Sequence, residues 1–128
     1  AGDYVFPLSG QSCYISSDFG YREFDGSFHN GTDYAADEGT EVYCAADGVV
    51  TFAGWDDTGY GNYVVVTHEN GYKTGYAHLS SISAEEGKKI SAGDIIGGVG
   101  STGYSTGNHL HLNVFYNGES VDPQELFG

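Results

Sequence analysis

The chain of 128 residues contains no methionine, one tryptophan and only four basic side chains, set against eighteen acidic ones. The formal charge of -14 argues against nucleic acid and anionic membrane surfaces as partners, because either requires a basic face. It says little more, since surface acidity mainly keeps a protein in solution. No apolar run approaches the ~18–20 residues of a membrane span, so membrane insertion is not expected. The sequence begins at Ala1 without methionine and without a signal-type apolar stretch, so it reads as a mature or excised piece of a longer secreted protein. Cysteine is scarce as well. Cys13 and Cys44 form no CxxC pair, which argues against a cysteine zinc knuckle. Two readings of them stand. A Cys13–Cys44 disulfide, the preferred one, would stabilise the fold by roughly 3–4 kcal/mol in the chain-entropy model and would indicate an oxidising compartment. The other is a pair of buried thiols.

A sustained helical period is also missing. No segment repeats its apolar residues every 3.6 positions over three turns, so the chain reads as all-β. Twenty-one glycines and eleven tyrosines suit a turn-rich β protein, and the length fits one domain over residues 1–128. Strands are expected after the turn at Phe28–Gly31, from Gly39 to Tyr43, from Gly48 to Ala53, and from Asn62 to His68 around Val64, Val65 and Val66. Asn70-Gly71 is a strong hairpin signal, with Tyr72 to Leu79 as the returning strand. Ser80 to Glu86 suggests one helical turn, short strands are expected at Ile90, Ile95-Ile96 and Val99, and a last strand runs from Leu110 to Tyr116. Many short strands at regular spacing predict a small antiparallel sandwich or a partly closed barrel. Ala46 to Gly54 and Ala92 to Gly100 resemble each other loosely.

The chemistry lies in five histidines: His29, His68, His78, His109 and His111. In a strand His109 and His111 share one face, with Cα atoms roughly 6.6 Å apart, while Leu110 and Leu112 point into the core. One imidazole can then bind a metal while the other addresses whatever occupies the open position. His29 and Asp33 stand four apart across a glycine-containing turn and offer a nitrogen and a carboxylate oxygen, both ordinary zinc ligands. Joined by His111 they make three candidate ligands, the number that leaves a catalytic zinc one open site. No HExxH helix is present, so the helical zincin plan does not apply. His68 and His78 lie near the ends of the two hairpin strands, where a surface histidine is the plain reading.

The combination of His29-x-x-x-Asp33, Tyr76-Ala77-His78-Leu79-Ser80 and His109-x-His111 resembles the lysostaphin-type zinc metallopeptidases of bacterial cell walls. Phe19-Gly20-Tyr21-Arg22, Gly61-Asn62, Ala92-Gly93-Asp94, Gly100-Ser101-Thr102-Gly103, Ser105-Thr106-Gly107 and Val121-Asp122-Pro123 extend the likeness over nearly the whole chain. It departs at Asn108, where many relatives carry proline. The resemblance implies a small antiparallel β fold, a barrel-sandwich hybrid with a narrow groove over one Zn²⁺, that cuts peptide bonds in peptidoglycan. His29, Asp33 and His111 match the zinc ligands, and His78 and His109 match the two non-ligand catalytic histidines. His68 matches no catalytic position. Arg22 and Asn62 fall in groove-lining regions. The implied partners are peptidoglycan stem or bridge peptides, the implied setting is outside the bacterial cytoplasm, secreted or wall-associated or periplasmic, and a monomer is expected.

A neutral imidazole can take the proton of an attacking water, and a second can stabilise the oxyanion or protonate the leaving amine. His109 is assigned the first role and His78 the second, although their types and spacing would allow the reverse. Two other functions compete. A non-catalytic wall-binding or amidase-activator module of the same fold requires a lost ligand or catalytic histidine, and none is lost. A lipoyl- or biotinyl-type carrier requires a lysine at a hairpin tip, and neither Lys73 nor Lys88-Lys89 has the expected flanks.

Overall fold

The computed structural model describes residues 4–21, 26–105 and 107–127. Thirteen strands and one short helix are found among them: β1 (Tyr14–Ser17), β2 (Gly20–Tyr21), β3 (Phe28–His29), β4 (Thr32–Ala35), β5 (Glu41–Tyr43), β6 (Gly48–Asp56), β7 (Gly61–Thr67), β8 (Tyr72–Leu79), β9 (Ser81–Ile82), β10 (Lys89–Ile90), β11 (Ile95–Gly98), β12 (His109–Tyr116), β13 (Glu119–Val121) and α1 (Gln124–Phe127). The expected all-β class is borne out, with strand at 49% and helix at 3% of the described residues.

The large sheet has the order β1-β4-β12-β8-β7-β6-β10, with β13 pairing the far end of β12. A smaller sheet has the order β5-β11-β9, β2 pairs β3, and every pairing is antiparallel. The valine run of β7 and the Asn70-Gly71 hairpin explain the centre of the large sheet. β-Branched residues favour the pleated conformation, and Asn70 and Gly71 both take the positive φ that a tight hairpin turn uses (64° and 83°).

The main core lies against one face of the large sheet. Val50, Val64, Val66, Tyr76, Leu110 and Leu112 pack there with Val42 and Ile96 of the small sheet and with Leu8 of the N-terminal arm. Because β-strand side chains alternate, burying Leu110 and Leu112 on this face turns His109, His111 and Asn113 to the opposite one. β12 is paired along both edges, to β4 and β13 on one side and to β8 on the other. The two histidines therefore sit on a strand that is held on both sides.

The structure differs from the sequence expectations in three places. Ser80 to Glu86 forms no helical turn. It begins with β9, and the Ser83 and Ala84 amides donate to the Ile96 carbonyl, so the segment is drawn into the small sheet. The only helix among the described residues is α1, which is started by the Asp122 carboxylate accepting from the Gln124 amide at 3.0 Å. The preferred Cys13–Cys44 disulfide is not formed, and both thiols are free. Cys44 is fully buried and donates its thiol to the Ala46 carbonyl at 3.1 Å, whereas Cys13 lines a surface pocket with Tyr14 and Tyr34. Burial pushes both thiols to a higher pKa, as expected of packed rather than reactive cysteines. No helix among the described residues is long and apolar enough to cross a membrane.

Candidate metal centre and its catalytic face

Three elements carry the site. The β3–β4 turn delivers His29 and Asp33, and the antiparallel register sets Asp33 opposite His111 and Ala35 opposite His109. On the other side of β12, Ala77 lies opposite His111, so β8 brings His78 to the same end of the sheet.

The ligand-capable atoms of His29, Asp33 and His111 all lie within 4.8 Å of one another. Asp33 is at their centre: its carboxylate is 2.7 Å from His111 Nδ1, 3.4 Å from His29 Nε2 and 3.6 Å from His109 Nε2. The rings of His78 and His109 have centroids 4.8 Å apart, and His78 lies 6.0 Å from His111. The fold thus gathers all five side chains that the sequence singled out as ligands or catalysts. His68 stands apart, hydrogen-bonded to the Asp47 carbonyl and the Thr74 hydroxyl. Arg22 lies outside the described residues. The Asn62 side chain is occupied within the chain, donating to the Leu79 carbonyl at 3.0 Å.

The second nitrogen of each ring settles its proton. A carbonyl oxygen only accepts, so a ring nitrogen facing one must carry the hydrogen. His29 Nδ1 donates to the Asp18 carbonyl (2.9 Å), His78 Nδ1 to the Thr102 carbonyl (2.7 Å) and His109 Nδ1 to the Gly107 carbonyl (2.8 Å). In their neutral forms these three rings keep a lone pair at Nε2. His111 is turned the other way: its Nε2 faces Asn113 Oδ1 at 2.8 Å, and its Nδ1 faces Asp33.

Burial alone would raise the Asp33 pKa, but hydrogen bonds from His111 and His29 in their protonated forms, and the charge those forms carry, outweigh it and hold the carboxyl well below the usual range. Asp33 is therefore an anion at any physiological pH. Burial pushes the His78 pKa down, and neighbouring His109 and His111 push the same way. A carboxylate with two imidazole nitrogens inside one small space is a donor set that fits a divalent transition metal, Zn²⁺ foremost.

Sequence reasoning missed the shell around these groups. Tyr60 stacks on His111 (5.4 Å between centroids) and on Tyr63 (4.6 Å), and Asn30 donates to the Tyr60 hydroxyl at 3.0 Å. Thr102 ties the ends of two strands, β7 and β8, together. Its carbonyl takes the His78 proton, its hydroxyl donates to the Leu79 carbonyl at 2.8 Å, and it accepts from the Asn62 amide at 3.1 Å. His78 itself has φ of 62°, uncommon for a residue with a side chain, and its amide is held by the Tyr60 carbonyl at 2.8 Å. Only Asn113 carried a signal: it follows His111 by two on the same strand and so shares its face. Thr102 and Tyr60 lie in loops, where spacing predicts no partner.

Fold and donor set together define a β-sheet scaffold that carries a candidate metal site without an HExxH helix. Residues 27–123 match Peptidase family M23, and the chain belongs to that family. Among curated relatives, the DD-carboxypeptidase/endopeptidase Mpg of Neisseria meningitidis is 51% identical over 113 residues, covering 85% of this chain and 26% of Mpg. The peptidoglycan DD-endopeptidase ShyA of Vibrio cholerae is 47% identical over 94 residues, covering 73% of this chain and 22% of ShyA. The chain thus spans about a quarter of the length of these relatives. Among solved structures, the catalytic domain of the antimicrobial peptidase lysostaphin from Staphylococcus simulans superposes with a TM-score of 0.80 at 33% identity, covering 94% of this chain and 96% of that one. The resemblance drawn from the sequence motifs is borne out.

Proposed function

We propose that this chain is the catalytic domain of a zinc-dependent endopeptidase that hydrolyses peptide cross-links of bacterial peptidoglycan. The observation that carries the reading is the convergence of His29, Asp33 and His111 within 4.8 Å, with His109 and His78 beside them. The names of Mpg and ShyA favour the DD type of cross-link over a glycine bridge. A setting in the wall or periplasm follows from that substrate, and a monomer suffices because one chain supplies every group.

His29 Nε2, Asp33 and His111 Nδ1 are the ligands in this reading. A Zn²⁺ held there would supply Lewis acidity, lowering the pKa of water in its open position and polarising the scissile carbonyl. The remaining chemistry belongs to the chain. His109, unprotonated at Nε2 and anchored through Nδ1, takes the proton of the attacking water. In the resting tautomer His78 also has an unprotonated Nε2, so it must gain a proton before it can donate. Its lowered pKa then makes it a strong donor, to the oxyanion or to the leaving amine. Its Nδ1–H bond to Thr102 persists in either protonation state and keeps the ring in place.

Digestion of purified peptidoglycan of known cross-link chemistry, with new termini identified by mass spectrometry, tests the assignment. New amine and carboxyl ends at the cross-link are expected, lost on metal removal and restored by Zn²⁺. Undiminished cleavage after complete zinc removal would overturn the metal mechanism, and intact cross-links would overturn the substrate.

A further inference from the structure

His111 differs from the other three histidines of the site in what holds it. Their outer nitrogens meet backbone carbonyls, whereas its Nε2 meets a side chain, Asn113 Oδ1 at 2.8 Å. Asn113 is completely buried. Its amide is oriented by a second contact, in which Nδ2 donates to the Tyr63 hydroxyl at 3.0 Å. With Nδ2 donating to Tyr63, the carbonyl oxygen faces His111. Burial pushes the Tyr63 pKa up, so the hydroxyl stays protonated and neutral. Tyr60, stacked on both Tyr63 and His111, closes the outer side of the chain.

Space for this chain exists only because two positions lack a side chain. A Cβ at Gly31 would stand 2.7 Å from Asn113 Oδ1 and 2.8 Å from His111 Nε2, inside the hydrogen bond itself. A Cβ at Gly75 would collide with the Tyr63 hydroxyl. Both glycines face the chain from neighbouring positions, Gly75 being the register partner of Asn113 on β8 and Gly31 preceding β4. Neither has the positive φ that would explain a glycine by backbone conformation.

We infer that Asn113, oriented by Tyr63 and given room by Gly31 and Gly75, is the positioning residue that presents His111 Nδ1 for metal binding. The inference rests on the reading of His111 as a ligand. Two acceptors compete for the hydrogens of the zinc-free ring, the Asp33 carboxylate 2.7 Å from Nδ1 and Asn113 Oδ1 2.8 Å from Nε2. Metal binding through Nδ1 requires the hydrogen at Nε2, and the fixed Asn113 acceptor holds one there whatever Asp33 takes at Nδ1. Asparagine suits the position because it accepts on one side and donates on the other.

The experiment compares the parent chain with Asn113→Leu, Asn113→Asp and Tyr63→Phe. Zn²⁺ affinity is read by chelator competition, and the ring tautomer of His111 by nitrogen-15 NMR of the zinc-free proteins. The parent should bind one Zn²⁺ and show His111 protonated at Nε2. Asn113→Leu, close to asparagine in size but without an acceptor, should bind zinc about 10–100-fold more weakly and show the His111 hydrogen moved to Nδ1, where Asp33 accepts it. Asn113→Asp keeps an acceptor for His111 and can accept from Tyr63 instead, so affinity should return to at least the parent's. Tyr63→Phe leaves Asn113 in place but free to turn its amide, and should lie between the parent and Asn113→Leu. Parent-like affinity and a hydrogen still at Nε2 in Asn113→Leu would overturn the inference while leaving the ligand assignment standing. A parent chain that binds no zinc would overturn the ligand assignment and the inference with it. Should Asn113→Leu not fold, Tyr63→Phe decides: parent-like affinity and tautomer would overturn the inference.

Discussion

Asp33 Oδ1 and His111 Nδ1 lie 2.7 Å apart although 78 positions separate the two residues in the chain. The antiparallel register of β4 on β12 creates that approach, and it places a half-buried carboxylate where three imidazole nitrogens converge. Such an anion is stabilised by the hydrogen bonds it accepts, and a divalent cation among the same atoms would be stabilised more strongly still. Asp33→Asn keeps the shape and removes the charge. It should abolish stoichiometric Zn²⁺ binding, measured by metal analysis after gel filtration, and reduce peptidoglycan cleavage at least ~100-fold, with the backbone fold unchanged by circular dichroism.

His109 and His78 should separate from the ligands in the same assays. Neither is needed to bind metal in the proposed site, so His109→Ala and His78→Ala should each retain one Zn²⁺ per chain. Loss of general acid–base assistance costs about 10²–10⁴ in rate, and kcat should fall in that range for both. A variant that loses zinc together with activity would place that histidine among the ligands instead.

The candidate trio was legible through the family resemblance. His109-x-His111 in a strand fixes a shared face, but spacing alone left His29-x-x-x-Asp33 an ordinary loop pattern, and only its match to the family's motif joined it to His111. The hairpin of β7 and β8 was legible from three valines and Asn70-Gly71. What holds the catalytic rings was not. Thr102 and Tyr60 reach His78 through loop backbone, and a carbonyl group belongs to every residue, so no side-chain type announces it. Tyr63 meets Asn113 only because β8, represented there by a glycine, lies between their strands. Sheet order, which local pattern does not encode, decides that contact. The cysteines show the converse. Their number suggested a bond, but the fold places Cys44 in the core beside Tyr76 and Ala46 and Cys13 at a surface pocket.

Stability should fall as pH drops, in two separate windows. His68 is buried with both ring nitrogens bonded, and burial lowers its pKa below the ordinary value near 6.5; the same direction holds for His78. A histidine whose pKa is lowered by folding binds its proton more readily in the unfolded chain. Below about pH 6.5 the unfolded state therefore gains, and above it there is no effect. Asp33 has a lowered carboxyl pKa, so its stabilisation is present above the ordinary carboxylate range near 3.9 and is lost as pH falls below it. Thermal melts of the chelator-treated protein should show a decline between pH 7 and 5 and a steeper one below 4. His68→Gln should flatten the first decline in part, leaving the share due to His78, and should not change the second. An unaltered first decline would show that His68 takes no part in it.

Two glycines with similar backbone angles allow the loop around His78 to be tested apart from its stability. Gly61 has φ of +66°, and a Cβ there would lie 2.5 Å from the Thr102 carbonyl carbon and 2.6 Å from the Gly103 amide nitrogen. Gly118 has φ of +88°, and a Cβ there would meet nothing within 4 Å. Alanine at either position forces a side chain into the left-handed region, at about 1–2 kcal/mol. At Gly118 the cost should end there, lowering the melting temperature by a few degrees with kcat unchanged. At Gly61 the added methyl must also push Thr102 away, and the Thr102 carbonyl is the acceptor that orients His78. Gly61→Ala should therefore lose activity beyond its loss of stability, roughly 10-fold or more in kcat, with Zn²⁺ affinity retained because His29, Asp33 and His111 sit on β3, β4 and β12, away from the 101–103 loop. Equal kcat in the two alanine variants would show that the Thr102 contact does not govern the placement of His78.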